Sequence, residues 1–175
     1  MAITYRTDPE YFERLDGVDY PKVSPKRTHS VVQGTLIGVF RQLAPGGSGE
    51  IGPEWKFWIG KADGTDSAFL PDVAYIAKDR IRALPARQRE EPPLAPDIAV
   101  EIRSPSERVN FREVKVMRYL ATGAKLVLDV DPERREIHAH DASGSKTLRG
   151  GDRCTSTAFP WLAFDVDEAF ADLDD

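Results

Sequence analysis

The stretch Pro96–Leu120, PDIAVEIRSPSERVNFREVKVMRYL, decides the fold. Its first part, Asp97–Arg103, reads as a strand. Ile98, Val100 and Ile102 point one way; Asp97, Ala99, Glu101 and Arg103 point the other. Its second part reads as a helix. Ser104 stands at the N-cap, Pro105 at the first helical position, and Glu107 completes a capping box. The helix runs to about Thr122, where Gly123 ends it. KLVLDV, Lys125–Val130, follows as a further strand. A strand–helix–strand crossover makes its two strands parallel and the connection right-handed. DPERR then turns the chain into EIHAHD, Glu136–Asp141, as a hairpin.

Outward from this unit, EWKFWIG and FLPDVAYIA are strand candidates joined by a turn, GKADGTDSA. KDRIRAL reads as a short helical turn and PARQREEPPLAP as an exposed loop. Val32, Leu36, Val39, Phe40 and Leu43 recur at helical spacing, which predicts a helix capped by Ser30. Within it, Gly34 and Gly38 either weaken the helix or mark a close packing contact. APGGSGEIG reads as a loop and VDYPKVSPKRTHS as irregular or extended. DPEYFERLDG reads as a short helix, with Asp8 as N-cap, Pro9 at the first position and Gly17 beyond its end. After Asp141 come short strands and a capped acidic end. The fold class expected is α/β, a mixed central β-sheet flanked by helices.

With 175 residues, 41% of them hydrophobic, the chain suits one domain spanning residues 1–175. Its net charge of -5 excludes a global basic field, so contact with nucleic acid would need a local patch or metal ions. The single cysteine, Cys154, excludes an intramolecular disulfide and a Cys-rich zinc site. No apolar run approaches the roughly 18 residues that span a membrane, and the first residues carry no signal-peptide pattern. A soluble cytoplasmic protein without membrane contact is expected.

Two residues of the opening stretch stand against its pattern. A strand inside an α/β sheet is covered on both faces, so Glu101 costs free energy unless paired or bound to a metal. Alternatively the strand lies at an edge and Glu101 is wet. Lys115 sits between Phe111 and Tyr119 on one helical stripe. Glu101 lies roughly 10 Å back from Ser104 along the strand, and Lys115 lies roughly 15 Å along the returning helix. A lysine side chain leaning toward the helix N-terminus recovers about 5 Å of that difference. The amine and the carboxylate can therefore meet. Lys115 equally reads as an aliphatic stem over apolar surface with its amine in water. Asp72, after Pro71, reads as a strand-entry turn or as a second carboxylate beside Glu101. Two adjacent carboxylates repel unless a divalent cation joins them, and Mg²⁺ takes such oxygen ligands while keeping waters.

Asp72, Glu101 and Lys115, with PDVAYI and PDIAVEIRSPSE around them, resemble the PD-(D/E)XK nuclease superfamily. The match is to its bacterial Uma-type restriction endonuclease family. Tyr119, Gly123, Asp131-Pro132 and the entry segment FERLDGVDYPKVSPKRTHS extend the resemblance over nearly the whole chain. The resemblance implies a restriction-endonuclease-like core that hydrolyses DNA phosphodiesters with Mg²⁺, or Mn²⁺, held by Asp72 and Glu101. It makes Lys115 the catalytic lysine, moved from the strand onto the helix. Arg103 departs from the superfamily pattern, since E-x-K would place lysine there and arginine cannot deprotonate. Accessory roles attach to Arg103, to Glu13 as a further acid lining the site, to His29 as a phosphate contact or helix cap, and to Tyr119 as packing beside the lysine. A homodimer is a further expectation. The competing reading is a catalytically inactive binding or assembly module on the same fold. Lys22, Lys26 and Arg27, and Arg80, Arg82, Arg87 and Arg89, are either solvated or grip a phosphate backbone. His138 and His140 read as surface residues.

Overall fold

A computed structural model describes residues 11–60, 67–105 and 109–174. The chain enters through a hairpin, β1 (Phe12–Leu15) and β2 (Val18–Pro21), turning at Asp16 and Gly17, both with positive φ. In the described part of the short helix expected there, residues 11–17, no helix is formed. Asp-Gly is a preferred two-residue hairpin turn, and it outweighs the helix signals of Asp8 and Pro9, which lie outside the described residues. Helix α1 (Arg27–Leu43) begins before Ser30, and Lys26 occupies its N-cap without a side-chain bond. Val32, Leu36 and Phe40 form its buried stripe, while Gly34 and Gly38 face open space rather than a packing contact.

Strand β3 (Gly49–Gly52) arises inside the expected loop APGGSGEIG. Its glycine has a packing reason: a Cβ on Gly49 would stand 2.4 Å from the Ile76 carbonyl oxygen and 2.5 Å from the Tyr75 ring. Only β4 (Phe57–Trp58) forms within EWKFWIG. FLPDVAYIA divides into β5 (Ala68–Phe69) and β6 (Val73–Ala77), which belong to different sheets. Pro71, lacking an N–H, falls at the break. The turn expected over GKADGTDSA lies largely outside the described residues. Helix α2 (Lys78–Ala83) and the short α3 (Ala86–Arg89) follow. Then come β7 (Ile98–Ile102), α4 (Val109–Ala121), β8 (Leu126–Asp131) and β9 (Glu136–Asp141). Glu107 of the expected capping box lies outside the described residues. At the other end of α4, Gly123 takes φ 113°. Strands β10 (Gly144–Leu148), β11 (Arg153–Thr155) and β12 (Ala163–Asp165) lead to a 3-10 helix, Val166–Leu173, capped by Asp165 and Glu168.

The central sheet runs β10-β9-β8-β7-β6-β3, with β7 and β8 parallel and the other pairs antiparallel. A small sheet, β2-β1-β5-β4, stands beside it. Both faces of β7 are buried, as its position inside the sheet requires. Ile98, Val100 and Ile102 pack toward α1 and the C-terminal 3-10 helix. Ala99 joins the other core, with Phe69 of β5, Tyr119 of α4 and Val127 of β8. Glu101 therefore points to the α4 side.

The second Pro-Asp pair, Pro96-Asp97, has a structural role. Asp97 is fully buried. Its Oδ2 accepts the Ala77 N–H at 2.8 Å, and its Oδ1 meets Arg80 at 2.9 Å and Lys125 at 3.1 Å. Arg80 thus anchors the fold, and Arg89 donates to the carbonyls of Leu84 and Arg82. Burial pushes the Asp97 carboxyl up, but the Ala77 N–H, Lys125 and Arg80 together hold it below the ordinary carboxylate value. A depressed carboxylate contributes stability above its unfolded pKa of about 3.9 and loses it as pH falls through the lower folded value. Asp97→Ala should lower unfolding free energy at pH 7 by about 2–3 kcal/mol in urea titrations. Acidification below about pH 4 should then cost the variant less than the wild type. An unchanged urea midpoint would contradict this role.

Candidate active site

A cavity of about 840 Å³ opens where the β1–β2 hairpin, the step before β6, the end of β7 and α4 meet, and Glu13, Lys22, His29, Asp72, Glu101 and Lys115 stand on its wall. Strand β7 delivers Glu101, and α4 delivers Lys115 at matching depth; they are 3% and 1% exposed. The Lys115 Nζ donates to Glu101 Oε2 at 2.6 Å and to Glu13 Oε1 at 2.7 Å. One turn further along α4, the Tyr119 hydroxyl donates to Glu101 Oε1 at 2.8 Å. The i, i+4 spacing of Lys115 and Tyr119 thus places one donor on each oxygen of a single carboxylate. The rings of Phe69 and Phe111 lie 5.6 and 5.9 Å from the Lys115 ammonium, within cation–π range.

Asp72 occupies the step between β5 and β6 that Pro71 creates. Its Oδ2 accepts the Ile102 N–H at 2.6 Å and faces His29 Nε2 at 3.1 Å. Its Oδ1 accepts from the Lys22 ammonium at 2.9 Å. Gln33 of α1 fixes the Asp72 carbonyl at 2.8 Å. Glu13 reaches in from β1, and its Oε1 also accepts the Leu70 N–H at 3.0 Å. The backbone bond from Ile102, the residue after Glu101, ties the two carboxylates to the same end of the β6–β7 pair.

Three residues depart from expectation. Arg103 does not line the cavity. Its guanidinium is spread over Asp129, at 3.0 and 2.8 Å, and Asp131, at 2.9 Å, beside Arg112, which also bonds Asp129. Two adjacent carboxylates on β8 outbid the site for a fork-shaped donor. Tyr119 does more than pack, because its hydroxyl orients Glu101. His29 caps nothing; it sits in the first turn of α1 and turns its ring to Asp72. Lys22 is a site residue that the sequence does not single out, since it stands within a basic cluster on an irregular segment. Its Nζ is held by the Leu70 carbonyl at 2.5 Å and by Asp72. No local pattern signals this, since the partners lie 48 and 50 positions away.

Acids and ammonium groups crowd one wall of the cavity. Glu13, Asp72 and Glu101 face the two ammonium groups of Lys22 and Lys115. Burial pushes the Glu101 carboxyl up to about 8; Lys115 pulls against this, and Glu13 and Asp72 add to it. Burial raises Asp72 also, but Lys22 and His29 overcome it and hold that carboxyl well below its ordinary value. The Lys22 ammonium is disfavoured by burial, yet Asp72 and Glu13 raise its pKa overall. Burial and Glu101 keep the Tyr119 phenol protonated as a donor.

Among the described residues, no group of three or more His, Cys, Asp or Glu is gathered as a ready metal nest. Mg²⁺ does not require one, because it binds through one or two carboxylates, several waters and substrate phosphate. The donor set fits such an ion. A carboxylate has about four lone-pair sites, so two donors on Glu101, from Lys115 and Tyr119, and three on Asp72, from Lys22, His29 and Ile102, leave acceptor capacity on both. The Lys22 ammonium, seated among oxygens, shows that this corner already accommodates a cation.

The fold has a solved counterpart. It recurs in the crystal structure of a "putative nuclease belonging to DUF820" from Anabaena variabilis ATCC 29413. The TM-score is 0.79 at 18% sequence identity, over 91% of this chain and 89% of that one. This is a mixed α/β, restriction-endonuclease-like architecture. Residues 2–167 match the model of the Uma2 family, described as "Putative restriction endonuclease", and the chain belongs to that family, a family of nuclease type. No curated protein matches the chain. Among the described residues, no helix is long and apolar enough to cross a membrane.

Proposed function

We propose that the chain is a Mg²⁺-dependent endonuclease that hydrolyses DNA phosphodiester bonds, with one catalytic domain across residues 1–175. The observation that carries this reading is the meeting of Asp72, Glu101 and Lys115 on one cavity wall. Asp72 and Glu101 would hold Mg²⁺, and Mn²⁺ would serve in its place. The bound ion supplies Lewis-acid polarisation of the phosphodiester and a more acidic water. Lys115 orients the attacking water and offsets negative charge that develops on the phosphoryl oxygens. Glu13 and Tyr119 are positioning residues: Glu13 holds the lysine, and Tyr119 holds the carboxylate that the lysine touches. The net charge of -5 makes the local cations and the metal, rather than a global field, the attraction for DNA. A cytoplasmic homodimer, one cavity per strand, suits duplex cleavage.

A second reading, a catalytically inactive binding or assembly module, draws on one observation: Lys22 already neutralises Asp72. Plasmid incubated with Mg²⁺ separates the two. The enzyme should nick or linearise it, and Glu101→Ala and Lys115→Ala should each slow cutting about 100-fold or more. A wild type that never cuts, or variants that cut equally well, would leave the module reading in place.

A further inference from the structure

Lys22 has a place in the cavity that the proposed chemistry does not use. It follows β2 and precedes α1, on a segment whose other residues, Val23 to Lys26, are exposed. Its own side chain is only 14% exposed, because it turns inward onto Asp72 and the Leu70 carbonyl. The metal reading requires a divalent ion at Asp72, where this ammonium now sits. A divalent ion bound at Asp72 Oδ1 would stand close to this ammonium and repel it.

The charges state the alternative. Counted as carboxylates and ammonium groups alone, with Glu101 ionised as a metal ligand must be, Glu13, Asp72 and Glu101 exceed Lys22 and Lys115 by one charge. With the Lys22 ammonium withdrawn, Lys115 alone leaves two, which one divalent ion neutralises. Lys22 can leave without backbone rearrangement, since lysine carries its charge on a four-carbon stem with rotatable bonds. Lys115 has no such freedom: it rises from the middle of α4, is 1% exposed, and is wedged between two carboxylates and two aromatic rings.

We propose that Lys22 is an exchangeable counter-ion of Asp72: its ammonium holds the carboxylate in the metal-free protein, and a divalent ion entering the site expels it into the cavity. The exchange rests on the proposed metal reading and adds a specific residue to it. Lys22 keeps the buried acids neutralised between turnovers and sets the threshold concentration of metal at which the site fills.

The test uses the full chain and Mn²⁺ as the probe. Brief acetylation of wild type with acetic anhydride, read by mass spectrometry, should modify Lys22 roughly 10-fold or more faster in saturating Mn²⁺ than without metal. Exposed Lys26 should react at the same rate in both. By calorimetry, Lys22→Met should bind Mn²⁺ roughly 10-fold or more tightly than wild type. Lys22 that stays protected in the Mn²⁺-saturated protein overturns the exchange, and this measurement does not depend on how the variant folds. A Lys22→Met affinity equal to or weaker than wild type overturns it also. If Asp72→Asn abolishes Mn²⁺ binding in these circumstances, the metal reading stands and only the exchange falls. If neither wild type nor Lys22→Met binds Mn²⁺, both fall.

Discussion

Lys115→Met should abolish plasmid cleavage and lower unfolding free energy by about 3–5 kcal/mol. Both effects have one origin. The Lys115 ammonium is the cation between Glu101 and Glu13, at 2.6 and 2.7 Å, and all three side chains are buried. Methionine preserves much of the stem but leaves two carboxylates facing each other in a low-dielectric pocket, where an unpaired charge is costly. Adding Glu13→Gln to Lys115→Met should recover a measurable part of the lost stability, since one of the facing charges is then gone. Cleavage should not recover with it. Urea titration of the single and double variants reads the coupling. A Lys115→Met protein as stable as wild type would show that the lysine is not the counter-ion of these acids.

The second large effect concerns metal. Saturating Mn²⁺ should raise the thermal midpoint of wild type, because a ligand at 100 times its Kd adds about 2.7 kcal/mol to stability. Asp72→Asn and Glu101→Gln should each remove that shift, with Mn²⁺ affinity reduced about 100-fold or more. Thermal melts at several Mn²⁺ concentrations give the answer. Equal shifts in all three proteins would place the ion elsewhere.

The strand–helix–strand unit was legible because its signals are local: alternation in Ile98–Ile102, a periodic stripe in α4, and Gly123 at its end. Element lengths also carried the depth match between Glu101 and Lys115, since rise per residue fixes how far strand and helix travel. The N-terminal hairpin was not legible in this way. FERLDGV carries helix-start signals upstream and an Asp-Gly turn within, and pairing of β1 with β5 reinforces the turn. Two Pro-Asp pairs look alike in the sequence, yet Asp72 faces the cavity while Asp97 ties Ala77, Arg80 and Lys125 together. Their difference is set by which strand break each follows, and composition does not record it. Lys22 and Glu13 enter the site from 50 and 102 positions away from Asp72 and Lys115. Contacts at such separations leave no period to read. The resemblance supplied Asp72 and raised Glu13; nothing in the residues supplied Lys22.

Anomalous diffraction from crystals soaked in Mn²⁺ locates the metal without relying on any variant. One strong peak is expected in the cavity, within about 2.5 Å of an oxygen of Asp72 and of Glu101, with the Lys22 ammonium no longer on Asp72. A cavity without a peak at saturating Mn²⁺, with Lys22 still paired to Asp72, would contradict the metal reading.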